Sequence, residues 1–129
     1  MNRRFFLERI TALIGISTVA PAVRAAGKQS IELQHSPVAG FQYHHGESLW
    51  SRLKPGVPLG LVREQNNPYD PRAVRIEFDG VKIGYVPRAE NATIAHLMDS
   101  GRNVSASILA VRESSNPWDR IEISLSLNT

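Results

Sequence analysis

Six residues near the middle of the chain, Asn66-Asn67-Pro68-Tyr69-Asp70-Pro71, carry the most suggestive chemistry. Two prolines and three Asx residues in so short a span favour a tight loop bonded by its own side chains. Such a loop holds Tyr69 and Asp70 side by side. A tyrosine offers a flat face to a base or a sugar, and a carboxylate accepts hydrogen bonds from hydroxyls. A loop already stiffened by proline loses little entropy on binding. The same residues also suit a purely structural corner, with Asp70 capping its own loop and Tyr69 packing over the end of a barrel.

Elsewhere the reactive side chains are not spaced for catalysis. Serines are frequent, but none stands in a Gly-x-Ser-x-Gly elbow, and there is no Walker phosphate loop. The 129 residues include no cysteine, which excludes disulfides, thiolate zinc sites, a cysteine nucleophile and lipid attachment through cysteine. The histidines are His35, His44, His45 and His96. His44 and His45 are adjacent and would point to opposite faces of a strand, and His96 lies on a helix between Ile94 and Leu97 as a surface or boundary residue, so they form no metal-ligand pattern. No metal and no cofactor are expected.

Charge places the first segment apart from the rest. Residues 1–25 combine a basic start (Arg3, Arg4, Arg9), an apolar stretch from Ile10 to Val19, the breaker Pro21, and small residues around Val23-Arg24-Ala25. This is the three-part layout of an export signal, and its apolar stretch is short of the ~20 residues that a spanning helix needs. Arg3-Arg4-Phe5-Phe6-Leu7 resembles a twin-arginine signal, although Glu8 stands where a basic residue is usual. An amphipathic helix or an uncleaved anchor are the competing readings. Four arginines against one glutamate give this segment the whole formal charge of +3, and residues 26–129 hold equal numbers of basic and acidic side chains. Overall basicity is therefore no argument for nucleic acid, and any basic surface must come from local clustering. The expected organisation is an export signal at 1–25 and one domain at 26–129. The location is periplasmic or secreted, with no membrane span after cleavage, or cytoplasmic if the signal does not function.

The elements that must position Tyr69 and Asp70 are mainly strands. Ile31 and Leu33 alternate in Ser30–Gln34, and Val38–Tyr43 reads as a further extended stretch or as a continuation of the first across a kink at Pro37. His44–Glu47 reads as a loop and Leu49–Leu53 as a single helical turn. Pro58–Glu64 alternates as a strand. Val74, Ile76 and Phe78, then Asp79-Gly80, then Val81, Ile83 and Tyr85 form the clearest hairpin pattern. A two-residue turn there sets Phe78 opposite Val81, Glu77 opposite Lys82 and Ile76 opposite Ile83, with Tyr85 opposite Val74 on the apolar face. Ala89–Ser100 changes to helical spacing, with Gly101 as its cap. Asn103–Val111 and Arg120–Leu127 return to strand alternation around a turn at Ser114–Pro117. The fold class is mainly β with one or two short helices, closed as a small, partly open barrel or sandwich.

Four stretches carry a family resemblance: Val38-Ala39-Gly40-Phe41-Gln42-Tyr43; Leu59-Gly60-Leu61-Val62-Arg63-Glu64; Asn67-Pro68-Tyr69-Asp70-Pro71-Arg72-Ala73-Val74; and Gly84-Tyr85-Val86-Pro87-Arg88. Together they resemble the HIRAN domain, over roughly residues 30–128. The resemblance implies a modified OB-like β-barrel. It also implies a non-catalytic module that binds the 3′ end of single-stranded DNA and recognises its free hydroxyl. By that resemblance Tyr43 and Tyr69 are stacking platforms, Asp70 accepts the 3′-hydroxyl hydrogen bond and repels a 3′-phosphate, and Arg88 contacts backbone phosphate. Tyr85 stands where the repair-protein members have a histidine, and Trp118 offers another flat surface near the pocket. A second reading is an envelope interaction module that uses the same pocket for a sugar, a peptide or a protein terminus, with an envelope protein or glycan as partner. A third is a hydrolase or zinc-binding role inherited from helicase-associated HIRAN proteins.

Overall fold

The computed structural model describes residues 29–129, so the export signal expected over residues 1–25 lies outside the described residues. The strands are β1 (Ser30–Pro37), β2 (Pro58–Glu64), β3 (Ala73–Phe78), β4 (Val81–Tyr85), β5 (Asn103–Val111) and β6 (Ile121–Asn128). One helix, α1 (Ala92–Asp99), lies between β4 and β5 in sequence, and short 3-10 turns occupy Phe41–Tyr43, Trp50–Arg52, Arg88–Glu90 and Pro117–Asp119.

The strands form one six-stranded antiparallel sheet in the order β1-β6-β5-β2-β3-β4. β2 touches β5 only through Pro58 opposite Ser107 and Leu59 opposite Ala106, and then runs on to pair with β3. Two residues after β1, Ala39 exchanges backbone hydrogen bonds of 2.8 and 2.9 Å with Tyr85 of β4. This single bridge joins the two ends of the sheet. The result is the small, partly open barrel that the alternating segments predict.

Alternation fills the interior. Val74 and Ile76 of β3, Ile83 of β4, Ile108 of β5, and Ile123 and Leu125 of β6 are buried. Val38, Phe41, Leu53 and Val86 close the ends, and α1 packs Ile94 and Ala95 onto this cluster, against β2, β3 and β5. Each of these valine, leucine, isoleucine and phenylalanine side chains contributes roughly 1.5–3 kcal/mol by leaving water.

Some sequence expectations are corrected. The first strand is longer than Ser30–Gln34 and continues to Pro37, with a bulge between Glu32 and Gln34. Val38–Tyr43 is not extended throughout. Gly40 adopts a left-handed φ of 74°, and Phe41–Tyr43 then turns so that Phe41 enters the core edge-on to Trp50. The helix is shorter than Ala89–Ser100, because the chain makes a separate 3-10 turn at Arg88–Glu90 before α1 begins.

The hairpin correction matters most for the site. Phe78 faces Val81 and Glu77 faces Lys82 as expected, but Ile76 then faces Gly84 and Arg75 faces Tyr85. Ile83 is the extra residue of a bulge. A one-residue shift exchanges the faces of a strand, so Tyr85 leaves the apolar side and joins Lys82 and Arg75 on the other. The position of Gly84 explains why the shift is accommodated. A Cβ there would lie 2.5 Å from the Ala39 carbonyl oxygen, so the closing bridge requires a residue without one. No Glu77–Lys82 ion pair forms, because the Glu77 carboxylate accepts from Arg75 Nε at 2.8 Å.

Candidate functional site

The loop after β2 is organised by Asn67. Its Oδ1 accepts from the backbone N–H groups of Tyr69 (2.8 Å) and Asp70 (3.1 Å), while its Nδ2 donates to Glu64 Oε1 (2.9 Å). This is an Asx turn, with the amide orientation fixed by what it bonds. The return limb is held by Arg63, which donates to the carbonyls of Ala73 (2.7 Å) and Pro71 (3.0 Å) and forms a two-pronged pair with Asp99 on α1 (2.8 and 3.0 Å). Between these anchors Tyr69 projects outward, 84% exposed.

Asp70 is half-buried and partly engaged. Its Oδ1 accepts from the Arg72 backbone N–H at 2.9 Å, and its Oδ2 accepts from Asn91 Nδ2 at 2.7 Å. Burial pushes its pKa up, but the Arg72 N–H, the Asn91 amide and the charges of Arg88 and Arg72 outweigh that and leave it below the usual carboxylate range. Each oxygen keeps acceptor capacity beyond its one protein partner. The carboxylate thus both caps its own loop and remains ionised at neutral pH. Asn91 is fully buried, and its Oδ1 has no partner.

The Gly40 turn and the Ala39–Tyr85 bridge bring the other residues to this loop. Tyr43 leaves the 3-10 turn 78% exposed. Tyr43, Tyr69, Asp70, Tyr85 and Arg88 line one pocket of about 540 Å³, together with Ala39, His44, Asn67, Ala73, Lys82 and Val86. The five residues singled out in the sequence are therefore neighbours in space.

Tyr85 differs from the others in having its hydroxyl committed, since it donates to Glu64 Oε1 at 2.9 Å. Burial pushes Glu64 up, but bonds from Asn67, Tyr85 and Arg75, with the Arg75 charge, bring it below its ordinary value. Arg75 in turn bridges Glu64 and Glu77, each at 2.8 Å. The ring of Tyr85 takes Lys82 Nζ at 4.6 Å from its centroid and the edge of His44 at 5.9 Å. Burial, then the charges of Lys82 and His45, hold the His44 imidazole below its ordinary pKa against the opposing pull of Glu64, so it is neutral at pH 7.

Sequence reasoning missed His44, Lys82, Asn67 and Asn91. Asn67 was readable in principle from its place before Pro-Tyr-Asp. Asn91 falls inside the stretch Ala89–Ser100 read as helical, yet it stands just before α1 and its side chain makes no capping bond, reaching instead to Asp70. Trp118 does not extend the pocket. It is half-exposed and lines a separate depression with His35, Arg112 and Glu122. Among the described residues no three His, Asp or Glu side chains converge as metal ligands, and no helix is long and apolar enough to cross a membrane.

Comparisons with known proteins bear on the family and the fold. The HIRAN domain model matches residues 31–129. A crystal structure of a protein from Lactobacillus plantarum is similar at 25% identity and a TM-score of 0.69, covering 79% of this chain and 98% of that one. The crystal structure of the HIRAN domain of human HLTF is similar at 20% identity and a TM-score of 0.60, covering 80% of each chain. No curated protein sequence matches the chain.

Proposed function

The chain belongs to the HIRAN domain family, and from that premise we propose that it is a non-catalytic module that binds the 3′ end of single-stranded DNA in the Tyr43–Tyr69–Asp70 pocket. The observation that carries this reading is the pairing of two tyrosine rings, 78% and 84% exposed, with one ionised carboxylate at a single pocket. An isolated domain gains nothing by holding two large rings in water, whereas base stacking on each returns ~1–3 kcal/mol. Asp70 accepts a hydrogen bond from a terminal hydroxyl but repels a terminal phosphate, and this supplies end selectivity. Arg88, exposed at the same pocket, contacts a backbone phosphate.

Few phosphates can be neutralised here, so binding depends weakly on salt and mostly on stacking. The test compares the full chain on a fluorescent single-stranded oligonucleotide ending in a 3′-hydroxyl and on its 3′-phosphorylated twin. Clear preference for the hydroxyl end, abolished by Asp70→Asn, supports the reading. Equal affinity for the two ends refutes it. Export of the chain is a separate proposal: a product starting near Ala26 in an envelope fraction supports it, and an uncut cytoplasmic chain refutes it.

A further inference from the structure

Lys82 is the feature of this pocket that neither the sequence motifs nor the loop geometry accounts for. Its register partner Glu77 is the natural acid for it, yet that carboxylate is taken by Arg75. Among the described residues neither Lys82 nor Arg88 has a carboxylate oxygen within 4.0 Å of its charged nitrogens. The Ile83 bulge turns the Tyr85 ring onto the same face, and the ammonium rides over that ring. A ring face attracts a cation without occupying its N–H donors as a carboxylate would. The base of the side chain is also fixed, since the Lys82 carbonyl accepts from the His45 N–H at 3.3 Å and Ala39 pins the neighbouring Tyr85.

Charge at the pocket follows from these contacts. His44 is neutral at pH 7, Asp70 is negative, and Lys82 and Arg88 are positive. A domain without net charge over residues 26–129 therefore carries a local excess of positive charge at the pocket that holds its exposed aromatic rings. An ammonium with free donors beside a stacking surface suits a phosphate.

We propose that Lys82 binds a backbone phosphate of the ligand and forms, with Arg88, a two-cation subsite separate from the hydroxyl contact of Asp70. This rests on the reading of the pocket as a nucleic-acid end site, and its ligand chemistry is a phosphodiester. Lys82 sets affinity and salt dependence, whereas Asp70 sets the preference among ends.

The experiment uses the full chain as wild type, Lys82→Gln and Lys82→Arg, with anisotropy on the hydroxyl-ended and phosphate-ended oligonucleotides over a series of salt concentrations. Lys82→Gln is expected to weaken binding about tenfold and to lower the salt slope by about one. The ratio between the two ends stays as in wild type, and Lys82→Arg restores the affinity. Wild-type affinity and slope in Lys82→Gln overturn the proposal. If wild type binds both ends equally while Lys82→Gln still weakens both, the end-recognition reading fails and the subsite stands. If no oligonucleotide binds, inorganic pyrophosphate is titrated while the ring resonances of His44 and Tyr85 are followed. Shifts present in wild type and lost in Lys82→Gln uphold the subsite, and their absence in wild type overturns it.

Discussion

Replacing Asn91 with leucine separates the electrostatic role of this residue from its packing. Asn91 is fully buried, donates to Asp70 Oδ2 at 2.7 Å, and leaves its own Oδ1 without a partner. A hydrogen bond to a charged group contributes about 1.5–3 kcal/mol, while a buried carbonyl left unpaired costs about 1–3 kcal/mol. Leucine, of similar size, removes both. At neutral pH the net loss of stability in Asn91→Leu is therefore small, about 1 kcal/mol. The pH dependence is the sharper observable. Because the folded pKa of Asp70 is depressed, its carboxylate contributes stability that is present above the unfolded pKa of about 3.9 and is lost as pH falls through the folded value. Without the Asn91 amide that depression shrinks, so the deficit of the variant at pH 7 narrows as the solution is acidified. Denaturant unfolding at a series of pH values measures the deficit, and carboxyl NMR of Asp70 measures the pKa directly. A deficit that is constant with pH, together with an unmoved Asp70 pKa, would show that the amide only fills space.

Other perturbations probe the frame and the rings. Arg63→Ala removes the bonds to the Ala73 and Pro71 carbonyls and leaves Asp99 with the Gln65 amide but no cation, so stability falls by about 2 kcal/mol and amide exchange quickens first in the loop carrying Tyr69 and Asp70. Normal protection there would mean that the prolines hold the loop without help. Gly84→Ala drives a Cβ to 2.5 Å from the Ala39 carbonyl and from a Val38 methyl, and is expected to destabilise by at least about 2 kcal/mol in thermal or chemical melts. A wild-type melt would show that the bridge between the sheet ends gives way easily. Tyr69→Ala, at a ring 84% exposed, leaves stability within about 0.5 kcal/mol but weakens oligonucleotide binding by ~1–3 kcal/mol. Unchanged binding would remove Tyr69 from the interface.

Local rules carried a long way in this chain. The Asp79-Gly80 turn, the alternation of β2, β3, β5 and β6, and the loop at Asn66–Pro71 are all written in near-neighbour sequence. Those patterns depend on periods of two residues and on the fixed φ of proline, which need no distant partner. Tyr69 and Asp70 were found for the same reason, being adjacent on a self-bonded loop.

What the sequence alone determined is the set of elements, the loop and the identities of its exposed chemical groups. Only the folded chain decided which face of the hairpin Tyr85 occupies, because the bulge at Ile83 goes with the approach of Ala39 to Gly84 from a remote segment. It likewise decided that a buried amide 21 residues away holds Asp70, a pairing that the helical spacing around Asn91 does not indicate. A strand's pattern fixes its two faces but not a one-residue slip between them, and a polar side chain's partner depends on what packing places within about 3 Å of it.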